Sequence, residues 1–137
     1  MLTLQLIEYS LIYIYNADQY DGIVIKNCSF TNGGGYAIDL RNGATGGTGL
    51  EIVNNSFTDT YGGIYAEYFD APTIQGNTIK GSYMTNHGIY LAYCDVANIP
   101  GNTIKGSGAF AAGIMRRLME ELCVLSGMTA VTVFWDL

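Results

Sequence analysis

Apolar residues recur along this chain in three columns. Ile12, Ile38, Ile64, Ile89 and Ile114 stand 26, 26, 25 and 25 residues apart, and four of them open the alternating runs IYIY, IDLR, IYAE and IYLA. A second column holds Ile25, Ile52, Ile74 and Ile99, and a third, five residues further on each time, holds Phe30, Phe57, Ile79 and Ile104. Short alternating runs predict half-buried strands. Each repeat is therefore expected to contain three of them, and the nonapeptide IQGNTIKGS of residues 74–82 returns as IPGNTIKGS at 99–107. Strands this short cannot bury a face alone, but stacking like residues over like builds a continuous apolar interior with equivalent strands parallel. Between the second and third columns lie Cys28, Asn55, Asn77 and Asn102. This is the position expected to need a left-handed backbone, and its stacked amides are expected to hydrogen-bond along the column as in other amide ladders.

The stretch GIYLAYCDVANIPGNTIKG resembles the repeat of right-handed parallel β-helix proteins. That pectate-lyase-like superfamily includes pectate lyases, polygalacturonases, alginate epimerases and carbohydrate-binding or sugar-hydrolase repeat domains. The resemblance covers about Ile12 to Gly106, and Leu2 to Leu6 resembles the closing strand of a preceding coil. It implies an all-β solenoid, a right-handed parallel β-helix of about four coils over residues 1–107. A leucine-rich repeat is the runner-up, since LEIVNN loosely echoes its core, but that repeat has one main strand where three columns recur here.

After Ser107 the pattern changes. Residues 108–137 are expected to form a separate capping or assembly segment. Ala111, Met115, Leu118, Leu122 and Leu125 fall on one side of a helical period and Arg116, Arg117, Glu120 and Glu121 on the other, which predicts an amphipathic helix from about Gly108, capped by Gly127. Ile114 then matches the first column by accident, or opens a brief fifth strand; the helix is the favoured alternative. MTAVTVFWDL alternates well enough for a final short strand.

Composition supports this picture and narrows the partners. Of 137 residues only 13% are charged, against 18 Gly and 11 Tyr, a balance that suits strands and tight turns better than a helical bundle. The net charge of -6 argues against nucleic acid and anionic lipid, which both need clustered Lys and Arg. No apolar stretch reaches transmembrane length, and the N-terminal MLTLQLIEYS lacks the basic flank of a signal peptide, although the resembling family is often secreted and a fragment of a larger protein would look the same. Cys28, Cys94 and Cys123 show neither C-x-x-C spacing nor an even count, so neither a zinc site nor a disulfide framework is expected. No metal and no cofactor is expected.

In the resembling enzymes the substrate lies along the outer face of the first sheet. The two-residue strand period sends Tyr13 and Tyr15, Asp39 and Arg41, Tyr65 and Glu67, and Tyr90 and Ala92 outward. Tyr13, Tyr65 and Tyr90 are the candidate substrate-binding residues, since a flat ring offers apolar area to a sugar while its hydroxyl stays wet. Asp39, Arg41 and Glu67 are the candidate catalytic residues. Asp39 and Glu67, one coil and two residues apart, have a Cα separation of ~8 Å from ideal sheet spacings, which suits the carboxyl pair of an inverting glycosidase. Arg41 sits beside Glu67 at the same strand offset, so the alternative is a surface ion pair. A lyase or epimerase would instead use Arg41 to neutralise a sugar carboxylate, with Tyr65 or Tyr13 as phenolic acid or base. The face departs from calcium-dependent lyases and polygalacturonases, which the resemblance would give more acidic groups there.

Other features have plain readings. Asp18, Asp70 and Asp95 stack as turn residues or as a Ca²⁺ site, and His87 is expected to be an exposed turn residue. The sequons at Asn27 and Asn54 lie in the stacked bend, where glycosylation is expected to be hindered. The long connections NADQYDG and NGATGGTG are expected to bulge on one flank, the second as a loose excursion. The function expected is a carbohydrate-binding or polysaccharide-processing module, an enzyme of lyase, epimerase or glycoside hydrolase type if it has activity; the alternative is a non-catalytic structural or self-assembly module. Because Leu4 lies in mid-repeat with no cap before it, a homo-oligomer joined through the coil ends is expected.

Overall fold

A computed structural model describes residues 10–15, 20–44, 46–81, 87–106 and 114–117. The first coil contains β1 (Ile12–Tyr15), β2 (Val24–Lys26) and β3 (Ser29–Thr31). The second contains β4 (Tyr36–Arg41), β5 (Glu51–Val53) and β6 (Ser56–Thr58), and the third β7 (Gly62–Glu67), β8 (Thr73–Gln75) and β9 (Thr78–Gly81). They are followed by β10 (Ile89–Ala92), β11 (Thr103–Gly106) and β12 (Ile114–Arg117). Like strands stack into three parallel sheets, ordered β1-β4-β7-β10-β12, β2-β5-β8 and β11-β9-β6-β3. The result is an all-β parallel solenoid.

Register follows the apolar columns. Ile12 pairs with Ile38, Ile38 with Ile64, Ile64 with Ile89 and Ile89 with Ile114; Ile25, Ile52 and Ile74 align in the second sheet, and Phe30, Phe57, Ile79 and Ile104 in the third. A one-residue slip would turn every isoleucine outward, so burial of the columns sets the pairing. Ile38, Ile52, Ile64, Ile74, Ile79 and Ile89 are fully buried, and Phe30 stacks on Phe57 at 4.9 Å.

Two expectations about length and ending change. About three coils carry all three strands, not four; in the next the middle strand shrinks to a single bridge from Thr73 to Asn98. Ile114–Arg117 is a strand paired with β10, not part of a helix. The first column continues there because Ile89 offers a parallel edge whose backbone groups need partners, and that outweighs a local helical period. The rest of the expected helix, the final strand, Asp18 and Cys123 lie outside the described residues.

The asparagine column forms the expected ladder, with one shift. Asn55 Nδ2 donates to Ile25 O at 2.9 Å and Asn77 Oδ1 at 3.1 Å, Asn77 Nδ2 to Ile52 O at 2.8 Å and Asn102 Oδ1 at 3.0 Å, and Asn102 Nδ2 to Ile74 O at 2.6 Å. Each Oδ1 also accepts the backbone N–H of the ladder residue one coil earlier, from Cys28, Asn55 and Asn77 in turn. The left-handed residue is the one before: Asn27, Asn54, Gly76 and Gly101, with φ of 56°, 55°, 65° and 66°. That leaves the ladder side chains free to point inward. It also overturns the steric objection to the sequons, because Asn27 and Asn54 are exposed on the outside of this bend.

The described part of the NGATGGTG connection is tied down rather than loose. Buried Asn42 accepts from Tyr20 N–H at 2.8 Å and donates to the Tyr20 and Tyr68 carbonyls, while Asp21 accepts from Thr48 N–H at 2.7 Å. A Cβ at Gly47 would collide with the Tyr20 carbonyl and the Asn42 amide. Leu50 and Phe69 close the interior beneath it.

Candidate functional site: the outer face of the first sheet

Leu40, Ala66 and Leu91 point inward beside the isoleucines, so the residues between them line the outer face. Tyr13 pairs in register with Asp39, Asp39 with Tyr65 and Tyr65 with Tyr90; Tyr15, Arg41, Glu67 and Ala92 form the next row. All six candidate residues thus share one ledge. Asp39 and Glu67 keep the expected offset of one coil and two residues.

Their contacts differ from the expectation. Arg41 does not turn toward Glu67, its register neighbour, but back along its own strand: Nε and Nη2 donate to the two Asp39 oxygens at 2.8 and 3.0 Å. This closes a two-point charge-assisted pair, in which Asp39 is only 6% exposed. Its hydrogen bonds hold Arg41 protonated well above the ordinary arginine range. The guanidinium also lies over the Tyr65 ring, 4.7 Å from its centroid. Glu67 accepts instead from the Tyr65 hydroxyl at 3.3 Å. The fork engages both Asp39 oxygens and leaves little of this carboxylate open to the outside.

The tyrosines stack on one another. Tyr65 and Tyr90 are 5.0 Å apart with planes 10° from parallel, and Tyr36 leans against both at 5.3 and 6.5 Å. With Tyr90 on one side and Arg41 on the other, the Tyr65 ring has both faces covered; what it offers outward is its edge and hydroxyl. Tyr13 and Tyr15 are open, at 60% and 67% exposure.

Sequence reasoning missed Tyr36 and His87. The Tyr36 hydroxyl lies 3.1 Å from His87 Nδ1, and the imidazole packs 5.2 Å from Tyr90. Strict alternation puts both residues inward, two before the column isoleucine. The strands break that alternation at their start: Ala37 and Ile38 are both fully buried, and a Cβ on Gly63 would meet the Ile79 side chain of the core. Two consecutive inward positions turn the preceding residue outward. Glycine at 63 and 88 beside alanine at 37 was the available signal, since only small residues fit a second inward position. Between Tyr36 and His87 lies Gly62, the register partner of Tyr36, which leaves the path between the two side chains clear.

Burial pushes the Tyr36 phenol up to about 12 and raises Tyr65, where neighbouring Glu67 adds to the effect. Burial also lowers His87, which favours the neutral imidazole that can accept from Tyr36. The ledge is thus a set of hydroxyls, one imidazole and the Glu67 carboxyl group around a closed ion pair. Among the described residues no group of three or more His, Cys, Asp and Glu side chains is placed to hold a metal ion. Asp70 and Asp95 bridge in parallel at an exposed bend, beside left-handed Tyr68, Ala71, Tyr93 and Val96.

A family model described as a right handed beta helix region matches residues 3–119. No curated protein and no solved structure matches the chain.

Proposed function

We propose, for a chain that belongs to the right-handed β-helix family, that the outer face of the first sheet binds carbohydrate. The observation that carries this reading is the ledge itself: two open tyrosine rings, Tyr13 and Tyr15, lie in register beside the Asp39–Arg41 pair and the Tyr65 hydroxyl. An open ring stacks on a sugar face, while edge hydroxyls and the spare guanidinium N–H groups bond its hydroxyls. Binding is favoured over turnover, because catalysis by a carboxyl pair needs both groups free to reach the bond or its water, and Arg41 occupies Asp39.

The test is the Tyr13→Ala, Tyr15→Ala double variant, titrated against a panel of neutral and acidic polysaccharides. Loss of at least about tenfold in affinity with a melting temperature within about 2 °C is expected, since open side chains contribute little to packing. Unchanged affinity sinks the proposal. A second reading, self-assembly through the coil end, is favoured by the concentration of exposed apolar side chains in the first described coil: Leu11, Tyr13, Tyr15 and Val24. Sedimentation of the same variant separates the two. Dissociation of an oligomer, without any glycan affinity in the parent protein, would assign the rings to assembly.

A further inference from the structure

We infer that this ledge selects uncharged glycans and rejects uronate polymers. The inference rests on the carbohydrate-binding reading and specifies its ligand. An arginine recognises a carboxylate through a two-pronged fork. Here the Nε and Nη2 edge of Arg41 is filled by Asp39 at 2.8 and 3.0 Å, and Asp39 is 6% exposed. A uronate could take that edge only by displacing a carboxylate that would then be left buried without its partner, which is strongly unfavourable; the Nη1 side that stays open belongs to a cation whose charge Asp39 already neutralises.

Among the described residues of β1, β4, β7 and β10 no other cation is present. Lys26, Lys80 and Lys105 lie on β2, β9 and β11, in the other two sheets, and Lys26 is paired with Glu51. Across β4 and β7 the face carries two carboxylates, Asp39 and Glu67, against one guanidinium, so an anionic chain meets net repulsion. What remains on offer is suited to hydroxyls: the phenols of Tyr36 and Tyr65, and the outer N–H groups of Arg41.

The experiment compares hexagalacturonate with its fully methyl-esterified form, the same sugar backbone with each carboxylate replaced by an uncharged methyl ester, alongside neutral xylo-, manno- and cello-hexasaccharides. Calorimetric titration of the intact chain is expected to show at least tenfold tighter binding to the best neutral ligand than to hexagalacturonate, with the ester ahead of the acid. Asp39→Asn should free the Arg41 fork and raise hexagalacturonate affinity at least tenfold. Glu67→Gln removes a like charge without touching the fork and should raise it less. Thermal melting confirms that each variant is folded, and the parent comparison stands if one is not. Equal or tighter binding of the acid by the parent protein would overturn the selectivity while leaving the carbohydrate reading intact. A gain in Asp39→Asn no larger than in Glu67→Gln would overturn the fork as its cause. Absence of binding to every glycan would overturn the carbohydrate reading itself.

Discussion

Replacing Asn77 by alanine tests what holds the coils in register. Asn77 is fully buried, and its side chain makes four hydrogen bonds: Nδ2 to Ile52 O at 2.8 Å and Asn102 Oδ1 at 3.0 Å, and Oδ1 from Asn55 N–H at 2.9 Å and Asn55 Nδ2 at 3.1 Å. Truncation does not orphan all the partners. Asn55 Nδ2 keeps Ile25 O, and Asn102 Oδ1 keeps the Asn77 backbone N–H. The Asn55 N–H loses its partner, while the Ile52 carbonyl loses one donor and keeps the strand bond that its parallel register with β8 supplies. One unsatisfied buried donor costs about 1 to 3 kcal/mol, and the other amide bonds lost with it place the total near the top of that range, at about 3 kcal/mol.

For a domain of this size that loss lowers the melting temperature by about 10 °C. Urea denaturation followed by far-ultraviolet circular dichroism measures the free energy, and an unchanged denaturant slope shows that the unfolding reaction is the same. Asn77→Asp should be worse at neutral pH, because it exchanges the donor to Ile52 O for a second acceptor. A loss below about 0.5 kcal/mol in Asn77→Ala would refute the reasoning, since a bond set that can be deleted without effect is not what fixes the bend.

Two further outcomes follow from the packing at the strand starts and from the groups that titrate there. Gly63→Ala should cost about 3 kcal/mol in urea denaturation, because its Cβ would run into the Gly88 carbonyl and lie 2.7 Å from Ile79 Cδ1, whereas Gly33→Ala, with its nearest contact at 3.4 Å, should change stability by less than about 1 kcal/mol. Stability should also fall at both ends of the pH range: burial raises the Tyr36 pKa from 10.0 to about 12, so its contribution is complete below pH 10.0 and lost as the pH climbs toward 12. His87 is depressed from 6.5, so its contribution is present above pH 6.5 and lost as the pH falls below it. Denaturation of the parent and of Tyr36→Phe at pH 5 to 12 checks this; an identical alkaline decline in the two would show that Tyr36 does not contribute.

Much of the fold was legible because a stacked repeat writes one constraint many times. Ile12, Ile38, Ile64 and Ile89 each had to be inward for the others to be, and the register pairs them as their spacing required. The ladder was legible for the same reason. What the spacing could not assign was which residue of the bend takes the left-handed backbone, since Asn27 and Asn54 are as tolerant as Asn55 and the distinction lies in which side chain turns inward. The partner of Arg41 was equally hidden. Asp39 and Glu67 both lie within reach, and two good bonds along the strand compete with a cross-strand contact whose geometry depends on the rotamer that the Tyr65 ring favours.

The irregularity at the strand starts links the interior to the ledge. Placing Ala37 and Ile38 both inward fills the core with one extra small residue per coil, and the same step brings Tyr36 out against Tyr65 and Tyr90. Without the break, the Tyr36 phenol would point into the apolar column and need a buried partner there. With it, the phenol meets His87 across Gly62, and the outer face gains a hydroxyl and an imidazole. Small residues at 37, 63 and 88 therefore serve two ends: they let the coil close tightly, and they determine which side chains the ledge presents. The break thus ties core packing to the make-up of the outer face, through small residues at 37, 63 and 88 that are themselves buried behind it.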